Sequence, residues 1–282
     1  MWGVFPVYFK ALQAVPALEI LFHRVVWSFL FLVILVSVRR NWGELRIAAS
    51  TPRVLAIYAL AAVLLASNWL IYVWGVNSGQ IVETSLGYFI NPLFSVAMGV
   101  VLLREELRPM QWVPVGLAAM GVLYLTIQYG SLPWIALGLA FTFGLYGLIK
   151  KTAPLGALRG VTLETGILFI PSLAYLIFLD SQGSAAFGHA SLTTTLLLAM
   201  VGVVTALPLL MFASAARLIP LWLLGLLQYI APTGQFLIGV FVYGEPFTRV
   251  ELVGFSIIWT ALLLFTLEGF YHRRKRALAA GI

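Results

Sequence analysis

Residues 87–93 read GYFINPL inside one apolar run, and residues 228–234 read QYIAPTG inside another. Both place an aromatic residue just ahead of Ile, then one further residue, then Pro. Both set a side-chain amide, Asn91 or Gln228, where hydrocarbon is expected. A proline inside a helix removes one main-chain hydrogen bond and leaves a carbonyl free. In lipid that loss is tolerated only where protein, water or ligand can satisfy the freed group. A chain that accepts it twice, in matching contexts, points to two related helices bordering one polar interior, each bent at a hinge at Pro92 or Pro232.

The flanking runs identify lipid as the solvent. Hydrophobic residues make up 62% of the chain and charged residues 10%, with a mean hydropathy of +1.01. Soluble domains average roughly 45–50% and 25%. Runs such as 54–72 and 253–267 carry no charge, and about 20 mainly apolar residues cross a bilayer. Ten spans are predicted, near residues 2–13, 17–38, 54–76, 81–103, 110–128, 132–149, 161–179, 192–215, 220–243 and 250–269. Short connections make consecutive helices antiparallel neighbours. The longest, DSQGSAAFGHAS from Asp180, reads as a solvent loop. The first stretch lacks the basic start of a signal peptide and is too short to span, so helix one is expected to lack its beginning.

No cysteine is present, which excludes disulfides and thiolate metal sites. The net charge of +7 is unevenly placed. With both termini cytoplasmic, the basic residues of the inner segments run from Arg39, Arg40, Arg46 and Arg53 to the cluster Arg273, Arg274, Lys275, Arg276. Only Lys10 and Arg249 fall outside, and Arg24 lies within a span. This positive-inside bias accounts for the basic balance without a nucleic-acid partner.

The two opening stretches belong to a longer match. At a spacing of 140, Leu86, Ile90, Pro92, Gly99 and Glu105 face Leu226, Ile230, Pro232, Gly239 and Glu245. WGVFPVYFK (2–10) lies over FGLYGLIKK (143–151), Glu19 over Glu164, and Asn68 over Pro208. In-order matches across five helices predict a duplication: residues 1–130 form one repeat, 131–270 the second, and 271–282 a basic cytoplasmic tail. Because five is odd, the second repeat enters from the opposite face, giving an all-α fold of two inverted halves around a central cavity.

Polar groups at the midplane are costly unless they face water or one another. Asn91, Gln228 and Gln235 are therefore read as cavity lining, together with Asn68, Trp69, Tyr72, Tyr88, Tyr146 and Tyr229. Close helix packing through small residues is the alternative for the glycines of both spans, and a static kink is the alternative to a hinge at Pro92, Pro232 and Pro208. Trp112 and Trp222 suit the interfacial belt. Glu19 and His23 are one turn apart and could pair. Arg24 needs an acceptor from another helix, either Glu83 in an ion pair or gate, or a substrate carboxylate. Glu164 is expected to be shallow and to meet cytoplasmic water.

Catalytic signatures are missing. Asp180 is the sole aspartate, no H-E-x-x-H or Walker A motif occurs, and the three histidines are scattered. No catalytic residue, metal site or cofactor is expected. A channel stays open as an alternative, but inverted halves with midplane kinks favour a carrier.

The set WGVFPVYFK, ILFHRVVWS, SNWLIYVWGVN, ETSLGYFINPL, LREELRPMQW and LLQYIAPTGQFLIGVFVYGEPF resembles the RarD-like branch of the EamA-type drug/metabolite transporters over essentially the whole chain. The resemblance implies a ten-helix bacterial inner-membrane carrier that works by alternating access and mostly exports small metabolites. In that superfamily cargo ranges over amino acids, other metabolites and drugs, and the RarD branch is tied to chloramphenicol sensitivity. The aromatic-plus-amide lining suits an amino acid with an apolar side chain, with amphipathic drugs second. The expected partners are that substrate and the lipid bilayer, with the chain a monomer or weak homodimer.

Overall fold

The computed structural model describes residues 1–40, 42–77, 81–130, 133–244 and 248–279, and every regular element among them is helical. After a short turn at Trp2–Val4 come α1 (Phe5–Lys10), α2 (Ala17–Val38), α3 (Trp42–Ser50), α4 (Pro52–Asn77), α5 (Ile81–Val101) and α6 (Trp112–Tyr129). Then follow α7 (Trp134–Thr152), α8 (Ala157–Ser181), α9 (Leu192–Leu218), α10 (Leu221–Gln228), α11 (Ile230–Tyr243) and α12 (Arg249–Ala279). Among the described residues eight segments are long and apolar enough to cross a membrane, and Leu86–Val101 adds a shorter apolar helix. The chain is a multi-pass membrane protein.

Its burial pattern is that of a protein dissolved in lipid. Ile170, Phe241 and Leu218 are 74%, 78% and 81% exposed, an arrangement that would aggregate in water. Glu19, Ser28, Glu164 and Thr205 are meanwhile buried. One apolar core joins α2, α4, α7, α9 and α10 through Leu32, Leu65, Tyr146, Ala213 and Leu221; a second joins α5, α6, α10 and α12 through Phe89, Ala118, Leu226 and Ile258. Small residues set the closest approach. A side chain at Gly202 would overlap the Trp27 backbone, and Ser28 Oγ donates to the Gly202 carbonyl at 3.0 Å where α2 crosses α9.

Between α2 and α4 the connection itself forms a helix, α3, which buries Leu45 and Ala48, three residues apart on one face. Three expectations need adjustment. The helix through Pro92 is unbroken, whereas the ninth span divides at Tyr229 into α10 and α11. At Pro92 the backbone is supported from outside: Gly225 admits the Pro92 carbonyl, and the Tyr229 hydroxyl donates to the Phe89 carbonyl at 3.1 Å. Pro232 instead sits in the first turn of α11, where a missing N–H costs nothing.

The 182–191 loop is pinned rather than free. Glu19 Oε1 accepts from Ala186 N and Phe187 N at 2.7 and 3.2 Å, and the Phe187 ring packs on His23 and Trp27. The backbone of α12 continues to Ala279, so the stretch 271–279 is helical. Trp222 is 9% exposed, its ring edge-on to Phe265, and so is core rather than belt; Trp112 is 50% exposed.

Candidate functional site

Consecutive spans alternate in direction. The starts of α2, α5, α7 and α9 therefore share one end of the bundle with the ends of α4 and α11. The other end holds Lys150, Lys151 and Arg217 and is called the basic end below. A cavity of about 210 Å³ lies among α1, α2, α4, α5, α7, α9 and α11.

On α4, Asn68, Trp69 and Tyr72 line this cavity. Asn68 Nδ2 donates to Leu139 O and Thr142 Oγ1, both at 2.9 Å, tying α4 to α7. On α5, Gly87, Tyr88 and Asn91 form the next wall. Gly87 is required there because a Cβ would meet the Leu139 side chain at 3.0 Å. The Tyr72 and Tyr88 rings meet edge to face at 5.9 Å, a favoured aromatic geometry. Asn91 Nδ2 donates to Gln228 Oε1 at 3.1 Å, and Gln228 Nε2 to Ser95 Oγ at 3.4 Å. This amide bridge joins the stretches 87–93 and 228–234. Gln235 Nε2 donates to the Trp2 carbonyl at 3.1 Å, and Trp2 stands edge-on to Phe143.

Arg24 also lines the cavity. Its Nε donates to Thr205 Oγ1 at 3.1 Å, and its guanidinium lies 4.4 Å from the Trp69 ring centroid and 5.5 Å from that of Phe9. The side chain of Glu83, the expected partner, lies outside the described residues. Glu19 and His23 approach only to 3.8 Å, because Glu19 is committed to the loop and His23 Nδ1 accepts from Trp27 Nε1 at 3.1 Å.

Seven of the nine residues read as lining border the cavity: Asn68, Trp69, Tyr72, Tyr88, Asn91, Gln228 and Gln235. Tyr146 and Tyr229 do not. Both are fully buried, and each hydroxyl finds its partner inside the protein, Glu164 for Tyr146 and the Phe89 carbonyl for Tyr229. Of the three prolines, Pro232 borders the hollow, while Pro92 and Pro208 are buried in helix contacts. Glu164 does not meet water: it is 0% exposed, with Lys150 Nζ at 2.7 Å from Oε1.

Two groups of residues escaped the sequence reading. Thr205, Phe9 and Phe143 carry no polar or periodic signal that marks them as lining. The second group links the elements at the basic end. Glu105 Oε1 and Oε2 accept from Leu221 N and Trp222 N at 2.8 and 3.1 Å, capping the start of α10. Lys151 Nζ stands 3.2 Å from Glu105 Oε1 and donates to Ile219 O at 2.7 Å. Arg217 Nη1 donates to Ala153 O at 2.7 Å. A carboxylate at a helix start meets the positive end of the helix dipole, so one side chain ties α5, α7 and α10 together. The repeat itself held the signal, since it matches Glu105 with Glu245 and Lys151 with Lys10.

Comparison with known proteins places this architecture. Residues 1–127 match the EamA-like transporter family. YojE of Bacillus subtilis, described as an uncharacterized transporter, is 49% identical over 94% of this chain and 90% of its own. RarD of Escherichia coli is 43% identical over 98% and 93%. A Pseudomonas aeruginosa protein named chloramphenicol-sensitive protein RarD is 34% identical over 96% and 92%. One solved structure, described only as the crystal structure of a protein, superposes with a TM-score of 0.68 over 94% of this chain and 93% of its own. Its 17% identity makes that a likeness of fold alone.

Proposed function

The chain belongs to the EamA-like transporter family, in its RarD-like branch, and we propose that it is an alternating-access carrier exporting small metabolites. The cargo we assign is amino acids with apolar or aromatic side chains, moved across a bacterial inner membrane with both termini cytoplasmic. The observation that carries this reading is a hollow of aromatic rings and side-chain amides, with Glu105 and Lys151 linking the elements at the basic end. In the proposed cycle that link holds one end closed while the other admits cargo.

Inversion of the two halves, ten spans in all, is part of the proposal. Supporting it, α2 packs on α8, α5 on α10 and α6 on α12, each against its own counterpart in the repeat. The α2–α9 contact is matched by α4–α8. Phe89 and Tyr229, counterparts at the spacing of 140, are hydrogen-bonded to each other. A two-fold axis running between the halves brings counterparts together in this way.

Efflux of amphipathic drugs is the second reading, favoured by the relative named for chloramphenicol sensitivity. Drug-sized ligands occupy pockets of about 300–1,000 Å³, so a cavity of about 210 Å³ favours the smaller cargo. Proteoliposomes loaded with labelled amino acids, with and without a pH gradient, test the assignment. Saturable counterflow is expected, reduced about tenfold or more by Asn91→Ala or Gln228→Ala, which sever the amide bridge. Conductance steps in a planar bilayer without counterflow would identify a channel instead.

A further inference from the structure

We propose that Arg24 is the carboxylate-binding group of this cavity. The cargo is then a small carboxylate with an apolar body, an α-amino acid above all, rather than its neutral or purely cationic analogues. The proposal rests on the carrier reading for the identity of the cavity as the substrate site, and goes further by naming the chemistry the site selects.

Among the described lining residues Arg24 is the one with a formal charge. A buried guanidinium in a membrane span demands a purpose or a partner. Its described hydrogen bond uses Nε alone, to Thr205 Oγ1, and its guanidinium carbon lies 4.4 Å from the Trp69 ring centroid. That leaves the terminal Nη pair, the fork that grips a carboxylate with two parallel bonds. Thr205 and Trp69 act as positioning residues: one fixes the edge of the guanidinium and the other its face.

The amides supply the complementary half. Each of the amide nitrogens of Asn68, Asn91, Gln228 and Gln235 donates to at least one protein acceptor. The oxygens of Asn68 and Gln235 are not used in those bonds, and an amide oxygen can only accept. One cationic fork together with neutral acceptors matches a molecule bearing both a carboxylate and an N–H donor. Rings of Phe9, Tyr72, Tyr88 and Phe143 leave room for an apolar side chain beside them.

The test uses the purified full chain in nanodiscs, titrated with L-phenylalanine and with L-phenylalaninamide, and read by intrinsic fluorescence because Trp2 and Trp69 line the cavity. The natural chain should bind the acid at least tenfold more tightly than the amide. Arg24→Gln should weaken the acid roughly tenfold to a hundredfold, the value of a charge-assisted pair, and leave the amide unchanged. Arg24→Lys, with charge but no fork, should keep part of the preference. Thr205→Val, which retains the charge and the fold, should weaken the acid several-fold.

Equal binding of acid and amide, binding of neither, or a preference that survives Arg24→Gln overturns the proposal. So does a Glu83→Gln variant that reproduces Arg24→Gln, since the guanidinium would then serve a carboxylate of the chain. Counterflow separates this proposal from the carrier reading. Equal counterflow of acid and amide removes the carboxylate site and keeps the carrier, whereas acid-selective binding without counterflow does the reverse.

Discussion

Lys150 and Lys151 are neighbours in sequence yet serve different parts of the molecule, because successive helical residues project about 100° apart. Lys151 reaches Glu105 at the basic end, whereas Lys150 turns into the protein to meet Glu164. Both members of that second pair are nearly inaccessible, at 3% and 0% side-chain exposure, and the Tyr146 hydroxyl donates to the second carboxylate oxygen. Removing one partner of a buried pair strands the other charge and costs about 3–5 kcal/mol, while an apolar pair of similar volume is often neutral or better. Glu164→Gln and Lys150→Met are therefore each expected to lower the thermal unfolding midpoint in detergent markedly. The double variant Lys150→Met/Glu164→Leu should recover most of the loss. A double variant no more stable than the weaker single one would show that the two charges act independently. In sequence the adjacent lysines read alike, as basic residues near a span end. What single-residue reasoning misses is which of the two faces inward, because that depends on how α8 packs beside α7.

The elements show where sequence reasoning reaches and where it stops. Spans were legible because the solvent is uniform: any helix in lipid must be apolar along its length, so α2, α4, α8 and α9 stand out by composition alone. The matches between the two halves of the sequence were legible because they run in order, and the Asn91–Gln228 bridge joins the two stretches that head them. Tyr146 and Tyr229 could not be told from Tyr72 and Tyr88, since a hydroxyl inside a helix is equally satisfied by a cavity or by a neighbouring carbonyl. The matched prolines also behave differently. Helix α5 passes through Pro92, while the chain breaks at Tyr229, where the backbone N–H donates to Leu226 O at 3.2 Å in a tighter turn. If that break is a hinge, Pro232→Ala should let α10 and α11 join, supplying an N–H toward the Gln228 carbonyl. The expected outcome is an unchanged or higher unfolding midpoint with counterflow slowed about tenfold. Equal counterflow would make the break a static feature of the wall.

At the scale of the whole molecule, the proposed alternating cycle makes the cluster at the basic end the part to test. Glu105 accepts from two backbone N–H groups of α10 and faces Lys151 on α7, while Lys151 and Arg217 hold carbonyls of neighbouring elements. Gly99 makes this possible, because a Cβ there would lie 2.5 Å from Glu105 Oε2 and 3.0 Å from Trp222 N. Bonds to a charged group contribute about 1.5–3 kcal/mol each, so neutralising the carboxylate should shift a two-state balance by one to two orders of magnitude. In an alternating cycle the matched pair Lys10 and Glu245 would take over at the opposite end as this cluster releases; the described part of that pair is Lys10, 3.7 Å from the Tyr243 ring centroid. The chain lacks cysteine, so a single introduced thiol reports access cleanly. Ala231 lines the cavity, and Ala231→Cys should react with a membrane-impermeant maleimide from the end opposite the basic one. Adding Glu105→Gln should raise labelling from the basic end at least tenfold and lower it from the other. Gly99→Val, which prevents α10 from docking, should act in the same direction. Labelling that stays one-sided in both variants would place the closure elsewhere in the bundle and reduce Glu105 to a structural helix cap.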